Sequence, residues 1–188
     1  MIHFIKYHMG SLENFGNYEE GLSYGFFDEL LKFIDKDDLI IEDLGDIRDE
    51  TIELRRHYGF TRQKILQFAI DLYGCYDKDN YSDNVVIFPG NHDCQTIYGW
   101  YKTLSNENKE NLKRFLANND CNNINVNHGI MQYCLKCKAR IAIITVQDIL
   151  GLDDESRINI PGTLSKDNWS WKLIDFKDFR ERIGDFKI

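Results

Sequence analysis

The sequence predicts an α/β fold, with about four parallel strands alternating with helices. Short apolar runs at 38–44, 64–71, 84–88 and 140–146 read as strands, and the last is nearly continuously apolar. Most of the intervening stretches place apolar residues at helical spacing. Strand and helix alternating in this way is the pattern of a parallel sheet covered by helices. The chain has 188 residues and two prolines, Pro89 and Pro161, with no repeat or low-complexity linker. A single domain over 1–188 is therefore expected.

Each element has a local reason. Residues 1–22 have weak periodicity, and GSLENFGNYEEG reads as a loop. Residues 23–34 carry Phe26/Phe27, Leu30/Leu31 and Phe33/Ile34 at helical spacing, with Ser23 as the expected N-cap. DLIIEDL (38–44) is a short buried strand. Asp49 caps a helix that stops near Gly59. KILQFAID (64–71) and NVVIF (84–88) are the next strands, the latter closed by turn residues Pro89-Gly90. Ser105 opens a helix with Leu112, Phe115 and Leu116 on one face, and Asn127 opens another through HGIMQYCLKCKA. RIAIITV (140–146) is the last strand. In the tail 174–188, Phe176, Phe179 and Ile183 have helical spacing and suit covering an exposed face.

Composition excludes several classes. The chain is 43% hydrophobic and 29% charged, that of a globular protein rather than a disordered one. No apolar run of membrane-spanning length is present, and the start lacks a signal-peptide pattern. The net charge of −8 leaves no basic stripe for phosphates, so neither nucleic acid nor a membrane is an expected partner. Five cysteines with no secretory signal read as reduced thiols in a cytoplasm. Cys134 and Cys137 form a C-x-x-C, but the further ligands of a zinc site and the preceding strand of a redox site are lacking. No cofactor is expected.

A parallel sheet handles ligands at the carboxyl ends of its strands. The residues found there are Glu42, Asp43 and Gly45; Gln67, Phe68 and Asp71; Asn91, His92 and Asp93; and Gln147 and Asp148. Their recurrence predicts a shared polar rim. Glu42 and Asp93, on separate strands, offer the two carboxylates that glycosidic chemistry needs. Glu42 follows Leu39, Ile40 and Ile41, an apolar setting that would raise its pKa and suit a proton donor. His92 could bond a sugar hydroxyl. Phe68, Trp100, Tyr101, Trp169 and Trp171 supply flat faces for sugar rings, although core packing explains any one of them as well.

These residues fall within runs that resemble one family. LIIEDLGDI (39–47), ELRRHYGF (53–60), KILQFAID (64–71), VVIFPGNHDCQTIYGWY (85–101), RIAIITVQDILGL (140–152), SRINIPGT (156–163) and NWSWKL (168–173) resemble, in order and spacing, motifs of the 4-alpha-glucanotransferases. This is the amylomaltase or disproportionating-enzyme group of glycoside hydrolase family 77. The resemblance implies the C-terminal half of a (β/α)8 TIM-type barrel. It implies that Glu42 is the general acid/base and Asp93 the transition-state stabiliser. His92, Phe68 and Asn159 would bind glucan, with Trp100 as a further binding candidate. Gln147 and Asp148 would give structural support.

The departures matter. The family nucleophile lies on R-I-D-H-F, whereas this chain begins Met1-Ile2-His3-Phe4 without the aspartate. The family H-D-N is here His92-Asp93-Cys94, and its T-G-T is Pro89-Gly90-Asn91. The resemblance therefore implies a segment of a retaining enzyme acting on malto-oligosaccharides, inactive alone. Its partner would be a chain supplying the other half-barrel, or another copy, because an open half-barrel exposes two sheet edges. The alternatives are a non-catalytic glucan-binding fragment, one subunit of a split enzyme, or a gene remnant without a stable fold.

Overall fold

The computed structural model describes residues 3–8, 20–44, 49–68, 84–122 and 125–184. It is an α/β fold whose chain divides into two compact units, Met1–Gln63 with Asn84–Val86, and Lys64–Asp83 with Ile87–Ile188.

In the first unit, β1 (His3–His8) pairs in parallel with β2 (Leu39–Leu44), in register from His3 opposite Leu39 to His8 opposite Leu44. The strand β1 corrects the expected N-terminal loop over this stretch. Helix α1 (Glu20–Leu30) begins earlier than expected, so Ser23 lies inside it and is not its cap. Helix α2 (Asp49–Tyr58) starts at Asp49 itself. It ends in a Schellman turn, with the Gly59 N–H on Arg56 O and the Phe60 N–H on Arg55 O. Gly59 has φ +68°, a conformation that costs glycine little. The core joins Phe27 of α1, Leu39 and Ile41 of β2, Leu54 of α2 and Phe60. The Phe27 and Phe60 rings are 4.9 Å apart, and Tyr58 donates its hydroxyl to Tyr24 O at 2.9 Å. Ile40 makes a parallel bridge to Thr61, just before β3 (Arg62–Ile65).

Strand β4 (Val85–Phe88), buried throughout, stands between β3 and β5 (Ile141–Ala142) in a three-stranded sheet. Two expected strands are shorter than the sequence suggests. Residues 66–68 turn helical after β3, and the buried Gln67 gives its backbone N–H to Pro89 O and its side-chain amide to Gln95 O. The residues of 64–71 beyond Phe68 lie outside the described set. After β5 the chain leaves the sheet, and Thr145 caps helix α6 (Val146–Leu150) by accepting from the Asp148 N–H.

The second unit also holds α3 (Ile97–Thr103), α4 (Asn106–Asn118), α5 (Val126–Lys136) and the tail helix α7 (Lys177–Ile183). Helix α3 has no counterpart in the sequence reading. Ser105 caps α4 as expected. Helix α5 opens at Asn125, whose Oδ1 accepts from the His128 N–H at 2.9 Å, so Asn127 falls inside the helix. Ile87, Ile97, Leu112, Leu116, Ile130 and Met131 are buried side chains of this unit. Each such burial contributes about 1.5–3 kcal/mol. Among the described residues, no helix is long and apolar enough to cross a membrane.

Two predictions follow from this packing. Asp148 is 2% exposed, its Oδ1 accepts from the Ile97 N–H at 2.7 Å, and Oδ2 accepts from the Thr145 hydroxyl. Burial pushes its pKa from 3.8 up to about 6, against the lowering effect of those two bonds. The folded state thus holds this proton more tightly than the unfolded chain. The extra stability is full below the unfolded value and is lost as pH rises through the folded one. Relative to Asp148→Asn, the unmutated chain should lose roughly 3 kcal/mol of stability between about pH 4 and about pH 7, read by urea unfolding. Equal pH slopes for the two proteins would refute this. Second, a Cβ on Gly129 would overlap the Cys121 carbonyl oxygen, whereas a Cβ on Gly25 of α1 meets nothing within 4 Å. Gly129→Ala should cost about 1–3 kcal/mol in the same unfolding measurement. Gly25→Ala should be neutral, or stabilising by up to about 1 kcal/mol.

Candidate functional site

The candidate site is built on the turn that leaves β4. Its residues, Pro89 to Thr96, form no regular element, so their polar groups need partners from elsewhere. Asn91 begins the turn. Its Oδ1 accepts from the Asp93 N–H at 3.0 Å and from the Cys94 thiol at 3.1 Å. Burial raises the Cys94 thiol to about 11, so it stays a neutral donor. Beneath the turn, a Cβ on Gly90 would come within 2.7 Å of Gln67 Nε2, so only glycine lets the Gln67 amide reach Gln95 O.

The segment 154–159 grips the same turn from the other side. Asp154 Oδ1 accepts from the Thr96 N–H at 3.0 Å, and its Oδ2 accepts from Gln95 Nε2 at 2.6 Å. This carboxylate fits against α3 only because residue 99 is glycine, since a Cβ there would overlap it. Arg157 donates Nη2 to the Asp93 carbonyl at 2.6 Å and Nε to the Asn159 carbonyl at 2.7 Å. One guanidinium therefore ties two backbone points together, and the Asn159 amide donates to Asp93 Oδ1 at 2.7 Å.

His92 Nε2 lies 3.4 Å from Asp93 Oδ1, and the two side chains are 29% and 27% exposed. The Trp169 ring stands 5.1 Å from the His92 ring and is 64% exposed. Trp169 has φ +61°, a conformation that costs a bulky residue on the order of 1–3 kcal/mol. Its backbone N–H donates to Ile158 O at 2.7 Å, which ties it to the segment that holds Asp93. The result is a half-exposed carboxylate beside an imidazole, an amide and an indole face. Such a set can accept and donate hydrogen bonds to a polyol while an aromatic ring covers its apolar side.

The structure brings together four of the residues expected from the sequence, His92, Asp93, Asn159 and Trp169. Phe68 is 52% exposed on the turn after β3. Trp100 is a correction. It is 3% exposed within the second unit, so its face is spent on packing and offers nothing to a sugar. Of the expected polar rim, Gln67, Gln147 and Asp148 are buried; Gln147 and Asp148 act as braces, the structural support that the resemblance implies, with Gln147 Nε2 donating to Ser156 O. Glu42 is a β2 residue of the first unit, in register with Lys6. The setting of its carboxyl, with Asp43, Gly45 and Asp71, lies outside the described residues. Sequence reading assigned no role to Asp154 or Arg157; the one available signal was Arg157 inside SRINIPGT. Among the described residues, no three His, Cys, Asp or Glu side chains could share a metal ion.

The family model described as 4-alpha-glucanotransferase matches residues 10–176. The chain is 37% identical over 166 residues to the chloroplastic/amyloplastic 4-alpha-glucanotransferase of Solanum tuberosum, covering 87% of this chain and 28% of that protein. It is 33% identical over 168 residues to the 4-alpha-glucanotransferase of Streptococcus pneumoniae, covering 85% of this chain and 32% of the relative. The amylomaltase from Streptococcus agalactiae, solved in complex with acarbose, shares the fold with a TM-score of 0.73 at 24% identity, over 86% of this chain and 33% of that one. The chain thus spans about a third or less of the length of these relatives. With 167 consecutive residues inside the family model, from 10 to 176, the chain belongs to the 4-alpha-glucanotransferase family.

Proposed function

We infer that the chain forms the C-terminal half of a (β/α)8 barrel in a retaining 4-alpha-glucanotransferase acting on malto-oligosaccharides. The observation that carries this reading is the fixing of Asp93 by Asn159 and Arg157 beside the His92–Trp169 pair, in a chain of this family. The nucleophilic carboxylate comes from outside these 188 residues.

In the proposed cycle, the bond between the donor C1 and the leaving 4-oxygen breaks while C1 bonds the nucleophile. Glu42 gives its proton to the departing 4-oxygen. It then takes the proton of an acceptor 4-hydroxyl, whose oxygen re-forms the bond to C1 and frees the nucleophile. Asp93 accepts hydrogen bonds from the donor 2- and 3-hydroxyls and stabilises the positive charge that develops at the ring. Fixed geometry matters most here. A carboxylate held by donors on a braced turn need not reorganise as charge develops. His92 and Trp169 hold the donor ring, and Phe68 lines the path of the chain.

The test is incubation with maltotriose, read by chromatography. The purified chain is used alone and mixed with the N-terminal remainder of the Streptococcus pneumoniae relative. The mixture should yield glucose and a ladder of longer maltodextrins, and the chain alone should not. Glu42→Gln and Asp93→Asn should each slow the mixture by about 100-fold or more. A ladder from the chain alone would overturn the placement of the nucleophile. Products confined to simple hydrolysis, or transfer undiminished in Asp93→Asn, would overturn the mechanism.

A further inference from the structure

Away from the Asp93 turn, the second unit contains a cavity of about 500 Å³ that none of the proposed chemistry uses. This lies within the range of about 300–1,000 Å³ typical of small-ligand sites. Tyr98 and Tyr101, one turn apart on α3, line it together with Asn127, Met131, Asp148 and Arg182.

Each ring has a lysine ammonium near it. The Lys102 ammonium sits 5.3 Å from the Tyr98 ring centroid, and the Lys109 ammonium 5.4 Å from that of Tyr101. Lys102 is itself paired with Asp153, and Lys109 donates to the Lys102 carbonyl at 3.2 Å. Tyr98 is 44% exposed, so part of its surface is open to a ligand.

The lining distinguishes between classes of occupant. Arg182 and the start of α5 would favour an anion. The Asp148 carboxylate also lines the cavity, and an anion would face it at close quarters. A neutral polyol avoids that repulsion. It stacks on phenol rings and bonds the planar amide and guanidinium groups of Asn127 and Arg182. We propose that this cavity is a second binding site for a neutral carbohydrate, a short segment of α-1,4-glucan, distinct from the site at Asp93. The identity of the sugar rests on the function proposed above; the site itself rests on the cavity. A polymeric substrate can occupy both places, so the cavity would raise the local concentration of chain ends near the catalytic turn.

The test is an NMR titration of the chain with maltoheptaose, with inorganic phosphate as the rival probe. In Trp169→Ala, which removes the aromatic face beside His92, maltoheptaose should still shift the Asn127 and Tyr101 resonances. Adding Tyr98→Ala should weaken that remaining affinity about tenfold, and Tyr98→Phe should preserve it. A folding failure would be recognised because all resonances, rather than local ones, would change. Shifts caused by phosphate and not by maltoheptaose would overturn the proposal. So would an affinity indifferent to Tyr98→Ala and abolished by Trp169→Ala. The converse result, binding lost with Tyr98→Ala and indifferent to Trp169→Ala, would uphold the cavity and count against the proposed site at His92 and Asp93.

Discussion

The hydrogen bond from Arg157 to the Asp93 carbonyl is the contact on which the site depends. The turn after β4 has no ladder or helix of its own to fix it. It is held where side chains reach its backbone: Gln67 at Gln95, Asp154 at Thr96 and Arg157 at Asp93. Each of these bonds joins a side chain to a main-chain group many residues away. Each therefore restrains the path of the turn as well as one rotamer. Arg157 adds a second restraint by holding the Asn159 carbonyl, which places the Asn159 amide against the Asp93 carboxylate. Removing the guanidinium would loosen the turn and the amide together. Charged hydrogen bonds of this kind contribute about 1.5–3 kcal/mol each.

The bracing extends to the elements behind the turn. Asp148 closes the start of α3 at Ile97, one residue beyond the Asp154 bond to Thr96. Two carboxylates thus satisfy consecutive backbone donors where the turn becomes a helix. Each is held in turn, Asp148 by Thr145 and Asp154 by Gln95. The cost is a buried acid with a raised pKa, which ties the stability of this corner to pH.

Much of the fold was legible because its causes are local. The buried run Val85–Phe88, the Ser105 cap and the stop at Gly59 each depend on a few adjacent residues, and all appear where the sequence places them. The misreadings share a different cause. Leu66–Phe68 and Thr145–Val146 lie in apolar runs that look like strand, yet Gln67 is bonded to a residue distant in sequence and Thr145 caps a helix. Asn125 and Asn127 are equally good caps by type, and only the geometry at His128 selects the first. In the site, His92, Asp93 and Asn159 were legible through motif resemblance. A buried Gln147 or Trp100 cannot be told from an exposed one by residue type, because burial depends on residues distant in sequence. Asp154 stayed hidden for a similar reason. Its partners are more than fifty residues upstream, and the glycine that admits it, Gly99, reads as an ordinary helix defect.

The departures from the family pattern at 89–94 fit together when read as one turn. A proline at 89 donates no backbone hydrogen bond, but this position is used as an acceptor, for the Gln67 N–H. Asparagine at 91 accepts from the Asp93 N–H, a local bond of the kind that favours this residue in turns. Cysteine at 94 then gives its thiol hydrogen to the same Asn91 oxygen from a buried position that suits a small, weakly polar side chain. Burial raises the pKa of that thiol from 9.0 to about 11, so the donor persists well above neutral pH. Asn91 and Cys94 therefore act as a pair, and His92 and Asp93 lie between them. Together they close the turn, and the Arg157 and Asn159 contacts place the carboxylate within it.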